Sequence, residues 1–293
     1  MKHNWPTCAA GRGHPPRPGG DSAFTLIELL VVVVVMLALA AILVPTLAHA
    51  LAHARAAACR SNLRHLALAA LNYAADHGGH LVPFSEFARN TPNKSGSRGV
   101  NVRWSWSDDT PGDPRQALQN GLLAPYLNYA IDVGRCPAFH TPDRIRDFYE
   151  NQNLAYPVDV HYGYNGLLLS ERHGNFYGSD PNAEGYRCWI GLLASRVRNP
   201  PSTVMFADSA DLMMGQLVPT PTLCPPLPVY AKDGSLRANP LPSFHGRHPG
   251  GRANVAWVDG HVSSEMVQAP DENRLGFLYP PDENRNNSWM SAE

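Results

Sequence analysis

Leu29 to Ala48 is a run of twenty residues without a charge, inside the stretch FTLIELLVVVVVMLALAAILVPTLAHA, and a single carboxylate, Glu28, stands at its edge. Twenty helical residues rise about 30 Å, the thickness of a bilayer hydrocarbon core. The five valines at 31–35 are poor helix formers in water. In lipid the backbone has to satisfy its own hydrogen bonds, so the same residues are expected to be helical there. A carboxylate beside such a run is costly and calls for a partner.

No glycine occurs between Phe24 and His77, and Pro45 is the only proline in that interval. Beyond the apolar run, Leu63, Leu66, Ala70 and Tyr73 recur three and four apart, while Arg60, Arg64, Asn72 and Asp76 lie largely off that stripe. Gly78-Gly79 is a stop signal. The pattern predicts one helix from about Phe24 to about Asp76. Residues 24–48 form its membrane half and residues 49–77 its amphipathic half. Pro45 is expected to kink it, since it removes one backbone donor and crowds Ala41.

Three readings of the N-terminal part follow. "LAHA", ending at Ala50, offers an A-x-A-like signal-peptidase site. A plain membrane anchor is the second. Against the first, the apolar run is slightly long and begins beside Glu28; in the second, Glu28 sits at the interface and means little. Topology does not follow from charge, because Lys2, Arg12 and Arg17 before the span are balanced by Arg55, Arg60 and Arg64 after it.

The third reading rests on a resemblance. AFTLIELLVVVVVMLALAAILVPTL resembles the N-terminal signal of type IV pilins and type II secretion pseudopilins. This implies residues 1–23 as a prepilin leader, a cut between Ala23 and Phe24 by a prepilin peptidase, and methylation of the Phe24 amine. Ala23 replaces the glycine usual in the family. Glu28 then falls at the family's glutamate position and Pro45 at its helix-kinking proline. The new cationic amine of one subunit would offset the carboxylate of another, so that Glu28 sets the axial register during assembly. Its first-turn position also suits the helix dipole. The implied partners are the peptidase, other pseudopilin subunits, an assembly platform protein and its ATPase, and the membrane. The implied localisation is a single-pass inner-membrane protein, N-terminus cytoplasmic and C-terminal domain periplasmic, which enters a filament on assembly.

After the helix, Arg89–Pro114 reads as a long loop. Ala117–Tyr129 (ALQNGLLAPYLNY) reads as a short helix broken at Pro125. Tyr162–Ser170, Cys188–Ala194 and Ser202–Ser209 are short apolar runs of strand length. Gly215–Pro242 is proline-rich and expected to be irregular. Arg252–Val267 reads as a hairpin turning at Asp259-Gly260, and residues 268–293 as a loose tail. A helix followed by short strands predicts an α+β fold, the amphipathic half of the helix lying on an antiparallel sheet, with residues 78–267 as the exported domain.

HPGGRANVAWVDGH, with His248, Asp259 and Gly260, is similar to the H-X9-DG segment that closes a group of large pseudopilin-like proteins. "GLLAPYL", "RCP" (Arg135–Pro137), "YGYN" (Tyr162–Asn165) and "PPSTVMFADS" occur in the order seen in that group. Ten residues rather than nine separate His248 from Asp259. The resemblance implies a structural subunit and no catalytic residues.

Other side chains were weighed for chemistry. His245, His248, Asp259 and His261 are metal-ligand types, but their spacing fits no standard zinc motif. Related pseudopilins hold calcium in a C-terminal loop, for which Asp208 and Asp211 are the nearest oxygen donors. No EF-hand loop exists, and two exposed turn carboxylates is the simpler reading. Asp108-Asp109 reads as a solvated turn, and Ser209 lacks a hydrolase elbow. Trp104 and Trp106 have the spacing of one strand face and suit either a core or a sugar platform. Among Cys8, Cys59, Cys136, Cys188 and Cys224 there is no CxxC pair. If the domain is exported, the last three leave room for one disulfide whose pairing the sequence does not fix, and Cys59 reads as helix packing. A net charge of −1 gives no nucleic-acid footprint. The size of the region beyond the helix keeps a rival open: a membrane-anchored or secreted periplasmic domain with an enzymatic or glycan-binding role.

Overall fold

A computed structural model describes residues 25–84, 86–92, 98–105, 118–151, 158–166, 169–173, 188–213, 215–223, 229–230, 236–237, 243–268, 273–276 and 278. The chain divides into two compact units, residues 1–48 and 49–293. One element, helix α1 (Leu26–Asp76), contributes to both and contains Pro45. In the first unit every described residue is exposed, and the helix is long and apolar enough to cross a membrane. Next to Pro45, which has no N–H, the Thr46 hydroxyl donates to the carbonyls of Ile42 (3.2 Å) and Leu43 (2.8 Å).

In the second unit the expected stripe is present. Ala56, Cys59, Leu63, Leu66, Ala67, Ala70, Tyr73 and Ala74 are buried, while Arg60, Arg64, Asn72 and Asp76 are exposed. α1 ends at Gly78 and Gly79, both with positive φ, and the Gly79 N–H closes onto the Ala74 carbonyl at 2.8 Å.

The remaining elements follow in order: β1 (Glu86–Pro92), β2 (Arg98–Val102), α2 (Asp143–Asn151), β3 (Tyr162–Tyr164), β4 (Ser170–His173), β5 (Cys188–Gly191) and β6 (Val204–Asp208). Then come β7 (Asp211–Met213), β8 (Gln216–Val218), β9 (Val229–Tyr230), β10 (Leu236–Arg237), β11 (Phe244–His245), β12 (Arg252–Trp257), β13 (Val262–Met266) and β14 (Leu275–Gly276). Every pairing between these strands is antiparallel. The central sheet has the order β13-β12-β6-β3, and the layout is α+β.

The sheet separates two apolar layers. On one face Tyr162, Tyr164, Phe206 and Ala256 join the buried stripe of α1. On the other, Val204, Ala207, Ala253, Val255 and Trp257 pack with Leu223, Phe244 and Leu278. Strand β12 alternates between the layers, as a strand buried on both faces must. It puts Asn254 and Ala256 toward α1, and the Asn254 amide meets the Ala56 carbonyl at 3.4 Å.

Four expectations are corrected. The Arg89–Pro114 loop contains part of β1 and all of β2, which pair with each other. The two strands are paired antiparallel, Glu86 opposite Val102 and Ala88 opposite Val100. Pro125–Leu127 is a 3-10 turn, and no α-helix forms among the described residues 118–129. The proline-rich segment supplies β8, β9 and β10. The tail, expected to be loose, supplies β14, which pairs with β11, and buries Leu275 and Leu278.

Candidate functional site

The first site expected from sequence lies at the start of α1. Ala23 and Phe24 fall outside the described residues. Glu28 is described, and its carboxylate accepts hydrogen bonds from the Thr25 N–H (2.9 Å) and the Thr25 hydroxyl (2.8 Å). The Glu28 N–H donates back to the Thr25 hydroxyl at 3.2 Å. Thr25 and Glu28 therefore form a capping box, which satisfies donors that a helix start leaves open. Sequence reasoning treated Glu28 as a charge awaiting a partner and overlooked this local one. The T-x-x-E signal was available in the sequence.

The second lies where the C-terminal motif meets the sheet. The Asp259-Gly260 turn joins β12 to β13, with Gly260 at φ 88°. Asp259 accepts from the His261 N–H (3.0 Å) and pairs with its ring at 2.6 Å, near solvent. His248 does not share this turn. It precedes β12, bridged to Arg252, and its Nε2 lies 2.9 Å from the Asp208 carboxylate at the end of β6. The His245 ring edge meets Phe139 at 5.5 Å, and it feels the charges of Arg247 and Asp208. Asp259 and His261 pair at the turn, while His245 and His248 belong to the surroundings of Asp208.

Asp208 is no exposed turn carboxylate. It is fully buried, accepts the Asn254 N–H at 2.6 Å and lies 3.8 Å from Nε of Arg247. Asp211 is exposed on β7. Arg247 is itself buried, packs over the Phe139 ring at 4.3 Å and donates to the Ser209 carbonyl. Burial pushes its guanidinium down from its ordinary value, opposed by Asp208 and Tyr162. A buried charge has to be paired, and Asp208 with Arg247 meets that demand.

The third feature brings α1 to this cluster. Cys59 and Cys136 form a disulfide with Cα atoms 5.2 Å apart, whereas the sequence placed Cys59 in packing alone and the bond among Cys136, Cys188 and Cys224. The cause is tertiary: the Arg135–Pro137 segment lies on α1, held also by Asn62 donating to the Arg135 carbonyl at 2.8 Å. The Cys136 sulfur is 3.9 Å from Nε2 of His248.

A cleft of about 470 Å³ opens on the same segment, lined in part by Arg135, Cys136, Phe139, Arg146, Asp159 and His161. Asp159 receives both arginines: Arg146 through two bonds of 3.0 and 2.8 Å, and Arg135 at 2.9 Å. Burial pushes its carboxyl up, but the arginines outweigh this and hold it below the usual range. Sequence reasoning missed this group, because its members lie 11 to 24 residues apart.

Trp104 is buried. Its indole N–H donates to the Pro221 carbonyl at 2.7 Å, and its edge meets Phe206 at 5.2 Å. It belongs to the core and offers no face to a sugar. Trp106, Asp108 and Asp109 lie outside the described residues. No family model, curated protein or solved structure matches the chain.

Proposed function

We propose that the chain is a pseudopilin-like structural subunit that is processed by a prepilin peptidase and assembles into a type II secretion or type IV pilus-like filament. The observation that carries this reading is α1 itself. Its first part is apolar, exposed along its whole length and headed by one carboxylate, Glu28, and its second part is built into an antiparallel-sheet domain. A helix apolar on all sides needs lipid or other helices around it, and a filament core supplies the second when the first is left behind.

On this reading the leader lies in the cytoplasm and residues 49–293 in the periplasm. Cleavage frees the amine of Phe24, and Glu28 exchanges its Thr25 donors for the amine of a neighbouring subunit. The platform protein and ATPase supply the work of extraction. The Cys59–Cys136 disulfide fits an oxidising compartment and anchors the sheet domain to the helix that carries it.

The test is mass spectrometry of the mature N-terminus from the native host. The expected peptide begins at N-methyl-Phe24. A start at Leu51 would mean an ordinary secreted protein, and an intact Met1 a plain anchor; either removes the filament reading. The Arg135–Asp159–Arg146 cleft favours a second reading, an anchored periplasmic domain that binds a small ligand. Trp104, being buried, lends no support to a glycan platform.

A further inference from the structure

We propose that Cys59, Cys136, His248 and Asp208 form a zinc site in the dithiol form of the chain, so that α1 is joined to the sheet domain either by the disulfide or by a metal ion. The proposal does not depend on the filament reading. The two sulfurs and a ring nitrogen of His248 lie within 4.8 Å of one another, all buried. Asp208 lies outside that group, but its carboxylate is 2.9 Å from the same imidazole nitrogen and would swing in as the fourth ligand once the sulfurs part. Zinc holds thiolate at about 2.3 Å and imidazole at about 2.0 Å, so the sulfur–nitrogen edge of its tetrahedron is about 3.6 Å. The Cys136–His248 separation is 3.9 Å. Opening the sulfur–sulfur bond lets the two thiolates part and makes the remaining room. Thiolate sulfur, imidazole nitrogen and carboxylate oxygen are all ligand types that zinc takes in a tetrahedron.

Charge supports the same assignment. The two thiolates match the charge of the ion, so exchanging two thiol protons for zinc adds no net charge beside the Asp208–Arg247 pair, the condition for a buried ionic group. Among the described residues, Oδ1 of Asp208 and Nδ1 of His248 have no hydrogen-bond partner. Zinc on Nε2 of His248 would move its proton to Nδ1, and Asp208 would bind through Oδ2 with Oδ1 turned to Arg247.

The steps balance. The chain is synthesised with both cysteines as thiols, and zinc binding displaces their two protons. Converting the disulfide form requires two electrons and two protons from a dithiol, which is itself oxidised to a disulfide.

The test uses the full chain in detergent, with Cys8, Cys188 and Cys224 replaced by serine so that only this pair of thiols remains. The chain is reduced, desalted without oxygen, and titrated with zinc against a chromophoric chelator; cobalt then replaces zinc. The expected result is one tightly bound zinc per reduced chain, none in the oxidised chain, and a cobalt spectrum with thiolate charge transfer and tetrahedral d–d bands. His248→Gln should abolish stoichiometric binding. Arg247→Met, which removes the balancing charge, should weaken it about 10–100-fold. Absence of stoichiometric zinc in the reduced chain would overturn the proposal, as would a cobalt spectrum without thiolate bands. The comparison of oxidised with reduced chain needs neither His248→Gln nor Arg247→Met, so failure of those variants to fold leaves the test intact.

Discussion

The carboxylate of Asp208 lies 2.9 Å from Nε2 of His248, and neither side chain reaches solvent. Asp208 ends a central strand, His248 precedes the next strand in the sheet, and Arg247 presses its guanidinium toward the same carboxylate from 3.8 Å. Asp208→Asn keeps the shape and removes the charge. Arg247 is then buried without a counter-ion, which costs about 3–5 kcal/mol. Urea unfolding of the oxidised chain should show a loss of that order. A loss below about 1 kcal/mol would mean that Asp208 does not compensate Arg247.

The Cys59–Cys136 bond closes a loop with a sequence separation of 77. In the chain-entropy account such a loop stabilises the fold by about 4.5 kcal/mol. Replacing both cysteines by alanine should lower the unfolding free energy by about 2–5 kcal/mol. Peptide mapping without reductant should recover the α1 peptide containing Cys59 joined to the peptide containing Cys136. A map that joins Cys136 to Cys188 or Cys224 instead would contradict this pairing.

What was legible in the sequence follows local physics. The stripe Leu63, Leu66, Ala70 and Tyr73 announces the buried face of α1 because a helix repeats its neighbours every three and four residues. Val204–Asp208 and the hairpin over Arg252–Met266 are legible for a similar reason, an apolar run and an Asp-Gly turn. The polar constellation was not. His248 meets Asp208 and Cys136 through folding alone, and its spacing to Asp259, with ten residues between them along the chain, gave no sign of either partner. Arg135, Arg146 and Asp159 lie 11 to 24 residues apart, and only the tertiary approach of their segments turns them into an ion-paired cleft.

Acid should weaken the domain in a defined window. His161 and His245 are buried, and burial, together with the charge of Arg247, pushes both down to about 3. His161 is held neutral by its neighbours, accepting the Cys136 N–H at 3.1 Å and meeting the Thr141 hydroxyl at 3.3 Å. In the unfolded chain each titrates near 6.5. Between about 6.5 and about 3 the unfolded state therefore binds more protons than the folded one. Stability is highest above that range and falls with pH by about 1.4 kcal/mol per unit for each histidine, levelling off below about 3. Asp159, held below its ordinary value, adds its own loss only at the acid end. Urea midpoints from pH 7 to pH 4 should show the decline, and His161→Gln should make it shallower. An unchanged slope in that variant would mean that His161 is not the group being forced to ionise.

Two substitutions separate the local role of Glu28 from its proposed role between subunits. Thr25 gives the Glu28 carboxylate both of its observed donors. Thr25→Val removes the hydroxyl and leaves the carboxylate in place, so it should fray the start of α1 at a cost of about 1 kcal/mol while filaments still form. Glu28→Ala removes the carboxylate itself. If the charge serves only the cap, the two variants should behave alike, both accumulating and both assembling. If Glu28 meets the Phe24 amine of a neighbour, Glu28→Ala should still be inserted and processed yet form no filaments, and Glu28→Asp should assemble poorly because its carboxylate is one methylene short. Counting filaments by electron microscopy, with membrane levels of each variant matched by immunoblot, distinguishes these outcomes. Equal assembly of Glu28→Ala and the wild type would remove the register argument and leave the capping box as the whole reason for a carboxylate at the edge of the apolar run.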